Sequence, residues 1–239
     1  MQEQLHTLTA MRNDGLFVST HFEMEPILDL KAYLERIEYQ GVIEPTLEVL
    51  IAIHRQHLFT IPYENVDVQL QRTLDLDRER IFTKLVEEKR GGWCYEMNGL
   101  LYWVLQEIGF EVTRVSGGVT RSLRGDDALG NHLVLLVDVN EEAWIADTGF
   151  GDGVIDPIPL KEGAFRQRGF DFKMERLDDG YWRFHNHQHG AAPSFDFMPQ
   201  PANEILLEEK CEYLQTSDES PFVMAFVAQR LVEAGYEIQ

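Results

Sequence analysis

The chain has 239 residues, 44% of them hydrophobic, so it is long enough to bury a substantial core and is not composed like a disordered protein. Its formal net charge of −20 favours solubility and argues against binding nucleic acid through a basic surface. It has two cysteines, no apolar run that could span a bilayer and no signal-peptide pattern at its start, so we expect a cytoplasmic protein without a membrane partner.

Helix signals dominate the first half of the chain. Residues 1–27 come before them, show no clear period and are expected to form an N-terminal arm. Start signals are found at Asp29, Pro45, Asp77 and Cys94, each followed by apolar residues at helical spacing. The first and last of these helices are expected to end at Gly41 and Gly109. Residues 28–110 are therefore predicted to form a helical domain.

The pattern changes at residue 111. From there to about residue 184, apolar runs broken by Gly and Asp are typical of β-strands. Residues 111–200 are predicted to form a β-barrel or sheet domain, and residues 201–239 to begin a third unit. The fold class is predicted to be α+β.

Cys94 is the strongest candidate for chemistry. It follows two glycines, Gly91 and Gly92, and opens the apolar helical run. A thiol at a helix N-terminus lies near the positive end of the macrodipole and near free backbone N–H groups, and both favour the thiolate. Most lone cysteines are instead small buried apolar residues. A nucleophile also needs a base and a group that orients the base, so the interpretation depends on partners elsewhere in the chain.

His132 and Asp147 are the candidate partners. A strand is predicted to begin at His132, and its return strand to end at Asp147. If the turn between them has two residues, His132 stands opposite Gly149 and Asp147 is its diagonal neighbour on the same face. A register shift of one residue would separate them. Taken alone, His132 is more typical of a capped strand end and Asp147 of a turn. Together with Cys94 they indicate a nucleophile, a base and an orienting group where the helical and β domains meet.

Several segments of the chain resemble the arylamine N-acetyltransferase family. Arg-Gly-Gly-Trp-Cys-Tyr-Glu-Met-Asn at 90–98 is similar to the family's Cys motif. Ile-Pro-Tyr-Glu-Asn at 61–65 resembles a segment in which the family has Phe at the position of Tyr63. Asp-Thr-Gly-Phe-Gly at 147–151 resembles the family's Asp segment, where Val or Ala usually follows the Asp. Other similar stretches lie at 33–37, 45–48, 132–133 and 213–217.

The resemblance implies an enzyme of xenobiotic metabolism that transfers an acetyl group from acetyl-CoA to the nitrogen of an arylamine or arylhydrazine. In the family the Cys, here Cys94, carries the acetyl group as a thioester in a ping-pong scheme. The His, here His132, draws off the thiol proton, and the Asp, here Asp147, holds the imidazole. Phe150 resembles the family's aromatic wall against the acceptor ring. The candidate substrate-binding residues are Phe150, Gly149, Gly151 and Arg90.

The C-terminal part of the chain carries the expected contacts to acetyl-CoA. Residues 213–222 are similar to a stretch that contacts CoA in some members, so Tyr213 and Ser220 are candidate cofactor-binding residues. Members usually continue for some tens of residues beyond the position of Gly235, so residues 201–239 are expected to form an incomplete, truncated α/β lid. Acetyl-CoA is expected as a co-substrate, and a homo-oligomer is left open.

Two other functions are left open beside acetyl transfer. The order Cys, His, Asp is shared with transglutaminase-like and papain-like enzymes, so a related amide-forming acyltransferase or a Cys hydrolase is an alternative. The short lid makes a weakly active remnant the other alternative. Acetylation of Cys94 by acetyl-CoA distinguishes the three.

Two further motifs are weaker. His185, His187 and His189 alternate, and on one strand face three imidazoles could bind Zn²⁺. Because the spacing alone is weak and a polar loop is more typical, no metal is expected. The glycines of residues 149–153 suggest a phosphate loop, but the following helix and the Lys-Ser/Thr pair of a nucleotide site are missing from the pattern.

Overall fold

Most of the helical residues lie in the first half of the chain, and two further helices lie near its C-terminal end. The computed structural model describes residues 28–232 with their side chains, and residues 7–11, 17–21 and 235–238 by their backbone. Most of the predicted arm, residues 1–27, therefore lies outside the described residues. The helices are α1 (Leu30–Arg36), α2 (Leu47–Thr60), α3 (Val66–Gln69), α4 (Arg78–Phe82), α5 (Cys94–Ile108), α6 (Arg121–Arg124), α7 (Glu204–Thr216) and α8 (Pro221–Met224).

Side-chain caps determine where the first helices begin. The carboxylates of Asp29 and Asp77 each accept a backbone N–H of the first turn that follows, as predicted. The second helix begins after Thr46 rather than at Pro45, because the Thr46 hydroxyl is the group that caps it. Helix α1 ends before the predicted Gly41, since Glu38 already adopts the left-handed conformation with φ of 60°.

The strands in the described part of the chain form three antiparallel sheets. They are β1 (Thr7–Met11), β2 (Phe17–His21), β3 (Tyr63–Glu64), β4 (Glu111–Val119), β5 (His132–Val139), β6 (Glu142–Ala146), β7 (Ile158–Pro159), β8 (Gly163–Gln167), β9 (Phe170–Arg176), β10 (Trp182–His185), β11 (Ser194–Phe197), β12 (Ala228–Val232) and β13 (Gly235–Ile238). The β-rich region predicted to end near residue 184 extends to Phe197, because β11 pairs with both β4 and β10.

The largest sheet has eight strands in the order β7-β6-β5-β4-β11-β10-β9-β8. Only residues 160–162 join β7 at one edge to β8 at the other, so the sheet must curl back on itself. The α+β class and the predicted barrel-like sheet are confirmed. Aromatic and aliphatic side chains fill its interior: Val115, Val134, Ile145, Phe172, Met174, Phe184, Phe195 and Phe197.

Strand β5 is buried on both faces. Val134 faces the interior of the curled sheet, whereas Leu135 and Val137 pack against the helical core. Burial on both sides explains the uninterrupted apolar run that follows His132. It also places α5, which carries Cys94, directly against the strand that begins at His132.

The hairpin between β5 and β6 has the register that the sequence predicts. Asn140 and Glu141 both have positive φ, of 53° and 66°, as a two-residue hairpin turn requires. Val139 pairs with Glu142, and the same register continues without a bulge to the pair of Leu135 with Ala146. The register therefore directs His132 and Asp147 to the same face.

The C-terminal region packs on the helical side of the molecule. Strand β12 pairs with β3, so that Gln229 stands opposite Tyr63. The buried face of α7, which includes Cys211, packs in one cluster with Trp93 and Cys94. Among the described helices, none combines the length and the apolar character needed to cross a membrane.

Candidate active site

Cys94 is the first residue of α5, as predicted. Trp93 before it is extended, and the carboxylate of Glu96 accepts the Trp93 backbone N–H at 3.2 Å. The two preceding glycines are needed for space. A Cβ on Gly91 would lie 2.3 Å from the carbonyl oxygen of Pro62, and a Cβ on Gly92 would lie 2.8 Å from Glu96 Oε2. The loop can therefore reach the helix start only with glycine at both positions.

A buried ion network supports this helix start. Lys84 Nζ lies 2.8 Å from both carboxylate oxygens of Glu96 and 2.9 Å from Asp67. Glu64 lies further away, at 3.8 Å. Burial raises the pKa of Glu96 to about 7, and the Lys84 charge opposes that rise. The network joins three parts of the chain near Cys94. They are helix α3, residues 83–87 after α4, and helix α5.

His132 and Asp147 are in direct contact. His132 Nε2 lies 2.8 Å from Asp147 Oδ2, and both side chains are almost completely buried. Burial alone would raise the pKa of Asp147, but the charge of His132 and hydrogen bonds from His132, Asn98 and the Gly149 backbone lower it below its usual value. Asp147 is therefore an ionised carboxylate that orients the imidazole.

Two residues that the sequence analysis did not single out hold Asp147 in place. Asn98 Nδ2 donates to Asp147 Oδ1 at 2.7 Å and to the Leu133 carbonyl at 2.6 Å. His54 Nε2 accepts the Asp147 backbone N–H at 3.0 Å. Asn98 lies one helical turn after Cys94, and that spacing could have pointed to it. For His54, which the apolar pattern of α2 includes as a core residue, no comparable signal exists.

Gly149 brings the Asp147 segment against the Cys94 backbone. A Cβ on Gly149 would lie 2.7 Å from Cys94 Cα and 2.8 Å from the Cys94 carbonyl oxygen. On the other side, the backbone of Leu133, the residue after His132, lies close enough to the Cys94 sulfur to lower the pKa of the thiol. Within residues 28–232, no hydrogen bond joins the sulfur to the imidazole directly. Backbone packing therefore places the segment that carries Asp147 against the start of α5.

The Cys94 sulfur is almost completely buried, with 3% of the residue exposed. Burial raises the pKa of the thiol, and the nearby Cys211 and Asp147 raise it further, while hydrogen bonds from the backbone of Leu133 and Tyr95 lower it in part. The helix-start effect expected to favour the thiolate is outweighed here. Burial therefore favours the neutral form of the thiol at this position.

We expect Gly149→Ala to destabilise the protein by about 1 to 3 kcal/mol, because the added methyl group meets backbone atoms of Cys94 that cannot rotate away. Urea unfolding of the variant would measure the loss. Gly99→Ala is a matched control within α5, since its Cβ would meet only Ile81 Cδ1 at 3.4 Å. Equal unfolding midpoints for the two variants would contradict the close packing at Gly149.

Comparison with known proteins identifies the family. A family model described as N-acetyltransferase matches residues 46–238. The arylamine N-acetyltransferase of Mycolicibacterium smegmatis is 39% identical over 204 residues, which cover 82% of this chain and 74% of that protein. The chain belongs to the arylamine N-acetyltransferase family.

Two further relatives agree with this assignment. The arylamine N-acetyltransferase of Escherichia coli K12 is 36% identical over 188 residues, which cover 77% of this chain. The match covers 66% of that relative, so the chain spans just under two thirds of its length. A structure of Mycobacterium marinum arylamine N-acetyltransferase in complex with CoA superposes with a TM-score of 0.79 at 28% identity, over 88% of this chain and 80% of that one.

The residues expected to bind the acceptor of an arylamine N-acetyltransferase lie in two places. Phe150 is partly exposed, and its ring centroid lies 5.4 Å from that of His132. Gly149 and Gly151 flank it, and Gly149 packs against the Cys94 backbone. The guanidinium of Arg90 instead pairs with Asp67 at 2.5 Å. That contact gives Arg90 a structural role in the ion network beneath the helix start.

The two residues expected to contact CoA also differ in their surroundings. Ser220 is fully buried, and its hydroxyl donates to the Leu214 carbonyl and accepts the Phe222 N–H at the start of α8. Tyr213 is 41% exposed, with the Lys210 ammonium 5.9 Å from its ring centre. Ser220 therefore serves as a helix cap, and Tyr213 is the accessible candidate.

The histidines of residues 185–189 have other partners. His185 Nε2 lies 2.7 Å from a carboxylate oxygen of Glu175. The ring of His187 stacks on Phe170 with a centroid distance of 4.2 Å. Among the residues whose side chains are described, no group of three or more His, Cys, Asp or Glu side chains is arranged to hold a metal ion.

Proposed function

We propose that this chain transfers an acetyl group from acetyl-CoA to the nitrogen of arylamines or arylhydrazines through a thioester on Cys94. The observation that carries the proposal is the packing of the His132–Asp147 pair against the Cys94 backbone through Gly149. A nucleophile, a base and a group that orients the base then meet at one helix start. The M. marinum relative whose structure contains CoA supports the choice of acyl donor.

In the first half-reaction, His132 takes the proton of the Cys94 thiol. Since Nε2 of His132 is held by Asp147, Nδ1 is the nitrogen that receives this proton. The sulfur attacks the acetyl carbonyl, and backbone N–H groups at the start of α5 stabilise the oxyanion. Because burial disfavours a free thiolate, proton transfer accompanies the attack. The CoA thiolate leaves with the proton from His132, and exchange of one thioester for another is nearly balanced.

In the second half-reaction, the amine nitrogen attacks the thioester carbonyl of acetylated Cys94. Phe150 provides an aromatic face beside His132 for the acceptor ring. His132 accepts the proton that the amine loses and returns it to the Cys94 sulfur as the amide leaves. The weakly basic arylamine needs this activated acyl group, because the thioester is more reactive than a carboxylate.

The CoA moiety is proposed to lie near Tyr213. The ammonium of Lys210 supplies a positive charge beside this ring, in a chain of strongly negative net charge. Ser220 caps the helix that follows and supports this surface from within. A cytoplasmic location and a role in xenobiotic metabolism belong to the same proposal, which the two free thiols of Cys94 and Cys211 support.

Intact mass spectrometry tests the proposed function. After mixing with acetyl-CoA, the wild-type chain is expected to gain the mass of one acetyl group, because Cys94 forms a thioester. Cys211→Ala should gain the same mass and Cys94→Ala should gain none, which makes the chain's other cysteine the matched control. Addition of an arylhydrazine should then remove the adduct and yield an acetylated hydrazine.

The other outcomes point to the alternative functions. A wild-type chain that never gains the acetyl mass would be an inactive relative, and the proposal would be wrong. An adduct that disappears at the same rate with and without an amine would indicate a Cys hydrolase. Removal of the acetyl group from Cys94 by aliphatic amines but not by arylamines would indicate a different amide-forming acyltransferase.

A further inference from the structure

Tyr63 lies beside Cys94 in this chain. It belongs to strand β3, forms a bridge with Gly92 and packs at the edge of the cluster that contains Cys94. Its ring also reaches the loop of the acceptor wall, since Cδ1 lies 3.8 Å from the position of a Cβ on Gly151. Tyr63 therefore lies between the sulfur and the loop that follows Phe150.

Gln229 contacts the same loop, at Gly151, from strand β12, which pairs with β3. It pairs with Tyr63 across β3 and β12, and its Nε2 lies 2.0 Å from the position that a Cβ on Gly151 would occupy. Gly151 has a φ of +84°, a conformation that favours glycine. The Gln229 side-chain amide thus rests directly on the backbone next to Phe150.

Both polar groups are candidates for binding a ligand. Tyr63 and Gln229 are partly exposed, as is Phe150. Within residues 28–232, neither the Tyr63 hydroxyl nor the Gln229 side-chain amide is used in a hydrogen bond. We call this hydroxyl and this amide the polar edge. An acceptor ring placed against Phe150 would have an aromatic face on one side and the polar edge on the other.

Acidic groups surround the polar edge. The ionisable groups that act most strongly on the Tyr63 hydroxyl are Cys94, Asp147, Asp152 and Glu96, all of them acids. Burial, together with these groups, raises the pKa of Tyr63 well above its usual value, so the phenol stays neutral and can donate. An uncharged polar substituent would be bound here, whereas an anionic one would be repelled.

We propose, on the basis of the function proposed above, that the Tyr63 hydroxyl and the Gln229 amide select arylamine acceptors that carry an uncharged hydrogen-bonding ring substituent, such as a carboxamide, over those that carry a carboxylate. Tyr63 and Gln229 are then specificity-determining residues of the acceptor cleft. Neither takes part in the acetylation of Cys94.

The test compares kcat/KM of the purified full chain for aniline, para-aminobenzamide and para-aminobenzoate. Tyr63→Phe and Gln229→Met are each expected to lower the ratio of para-aminobenzamide to aniline by roughly threefold to tenfold, the effect of one lost neutral hydrogen bond. The different nucleophilicities of the amines cancel, because the same ratio is compared between variants. The wild-type chain is expected to prefer para-aminobenzamide to para-aminobenzoate by at least a similar factor.

Tyr102 and Gln106 provide matched controls. Their hydroxyl and amide form a hydrogen bond of 3.0 Å within α5, so Tyr102→Phe and Gln106→Met remove the same groups elsewhere. These controls should leave the acceptor ratios unchanged. Unchanged ratios in Tyr63→Phe and Gln229→Met, with normal acetylation of Cys94 by intact mass, would overturn the polar edge alone. A wild-type chain that forms no acetyl adduct would overturn the proposed function and the polar edge with it.

Discussion

Asp147→Asn is expected to slow the acetylation of Cys94 by a factor on the order of 10³ to 10⁴. The carboxylate accepts the Nε2 proton of His132, which leaves Nδ1 free to act as the base. An amide NH₂ group at that position would donate to Nε2 and move the ring proton to Nδ1. His132 could then no longer take the thiol proton. Rapid-quench mass spectrometry of the acetyl adduct measures the rate.

Asp156→Asn is the matched control for this change. Asp156 pairs with Arg55 at the protein surface, so its amide variant loses a carboxylate without touching the imidazole. We expect it to acetylate at a rate close to that of the wild-type chain. Equal rates for the two variants would show that Asp147 does not set the protonation of His132.

Lys84→Met is expected to lower the free energy of unfolding by about 3 to 5 kcal/mol. The substitution leaves Glu96 and Asp67 buried without the cation that lies within 3 Å of both. The start of α5 depends on Glu96, so the acetylation rate of Cys94 should fall as well. Urea denaturation followed by circular dichroism gives the loss of stability.

Arg80→Met tests whether the large loss of stability expected for Lys84→Met comes from the burial of its ion pairs. Arg80 pairs with Asp75 at 2.7 Å, but 72% of the Arg80 side chain is exposed, so we expect a change of about 1 kcal/mol or less. An equal loss of stability in both variants would contradict the importance of the buried network.

The loss caused by Lys84→Met is also expected to depend on pH. Without the ammonium, the folded-state pKa of Glu96, which burial already raises to about 7, rises further. Since Glu96 is protonated in both folded proteins at low pH, the part of the destabilisation caused by Glu96 should be largest above its raised pKa and disappear as the pH falls below about 7. Unfolding free energies measured across this range, relative to the wild-type chain, would check the direction.

Much of the candidate site could be predicted from local sequence. Two glycines before an apolar helical run place Cys94 at a helix start, and the turn at Asn140 and Glu141 sets the register that brings His132 to Asp147. Both features depend on neighbouring residues in the chain. Local sequence is enough wherever backbone conformation alone determines which face a side chain occupies.

The supporting residues could not be predicted in this way. His54 lies 93 positions from Asp147, and only the packing of α2 against the end of β6 shows that its imidazole accepts the Asp147 N–H. The sequence makes Ser220 a candidate for binding CoA, and only the fold shows that it is buried and caps α8. Such roles depend on which distant groups remain without a hydrogen-bond partner after the chain has folded.

The sequence by itself therefore determined the α+β class, the helix that begins at Cys94, the β5–β6 hairpin and the family, because each rests on periodicity, turn chemistry or a contiguous motif. Tertiary structure, in contrast, sets the burial of the Cys94 thiol, the ion network around Lys84 and the pairing of Tyr63 with Gln229. Burial and electrostatic interactions depend on the whole surroundings of a group. Those surroundings come from segments far apart in the chain, so their effects appear only once the segments are packed together.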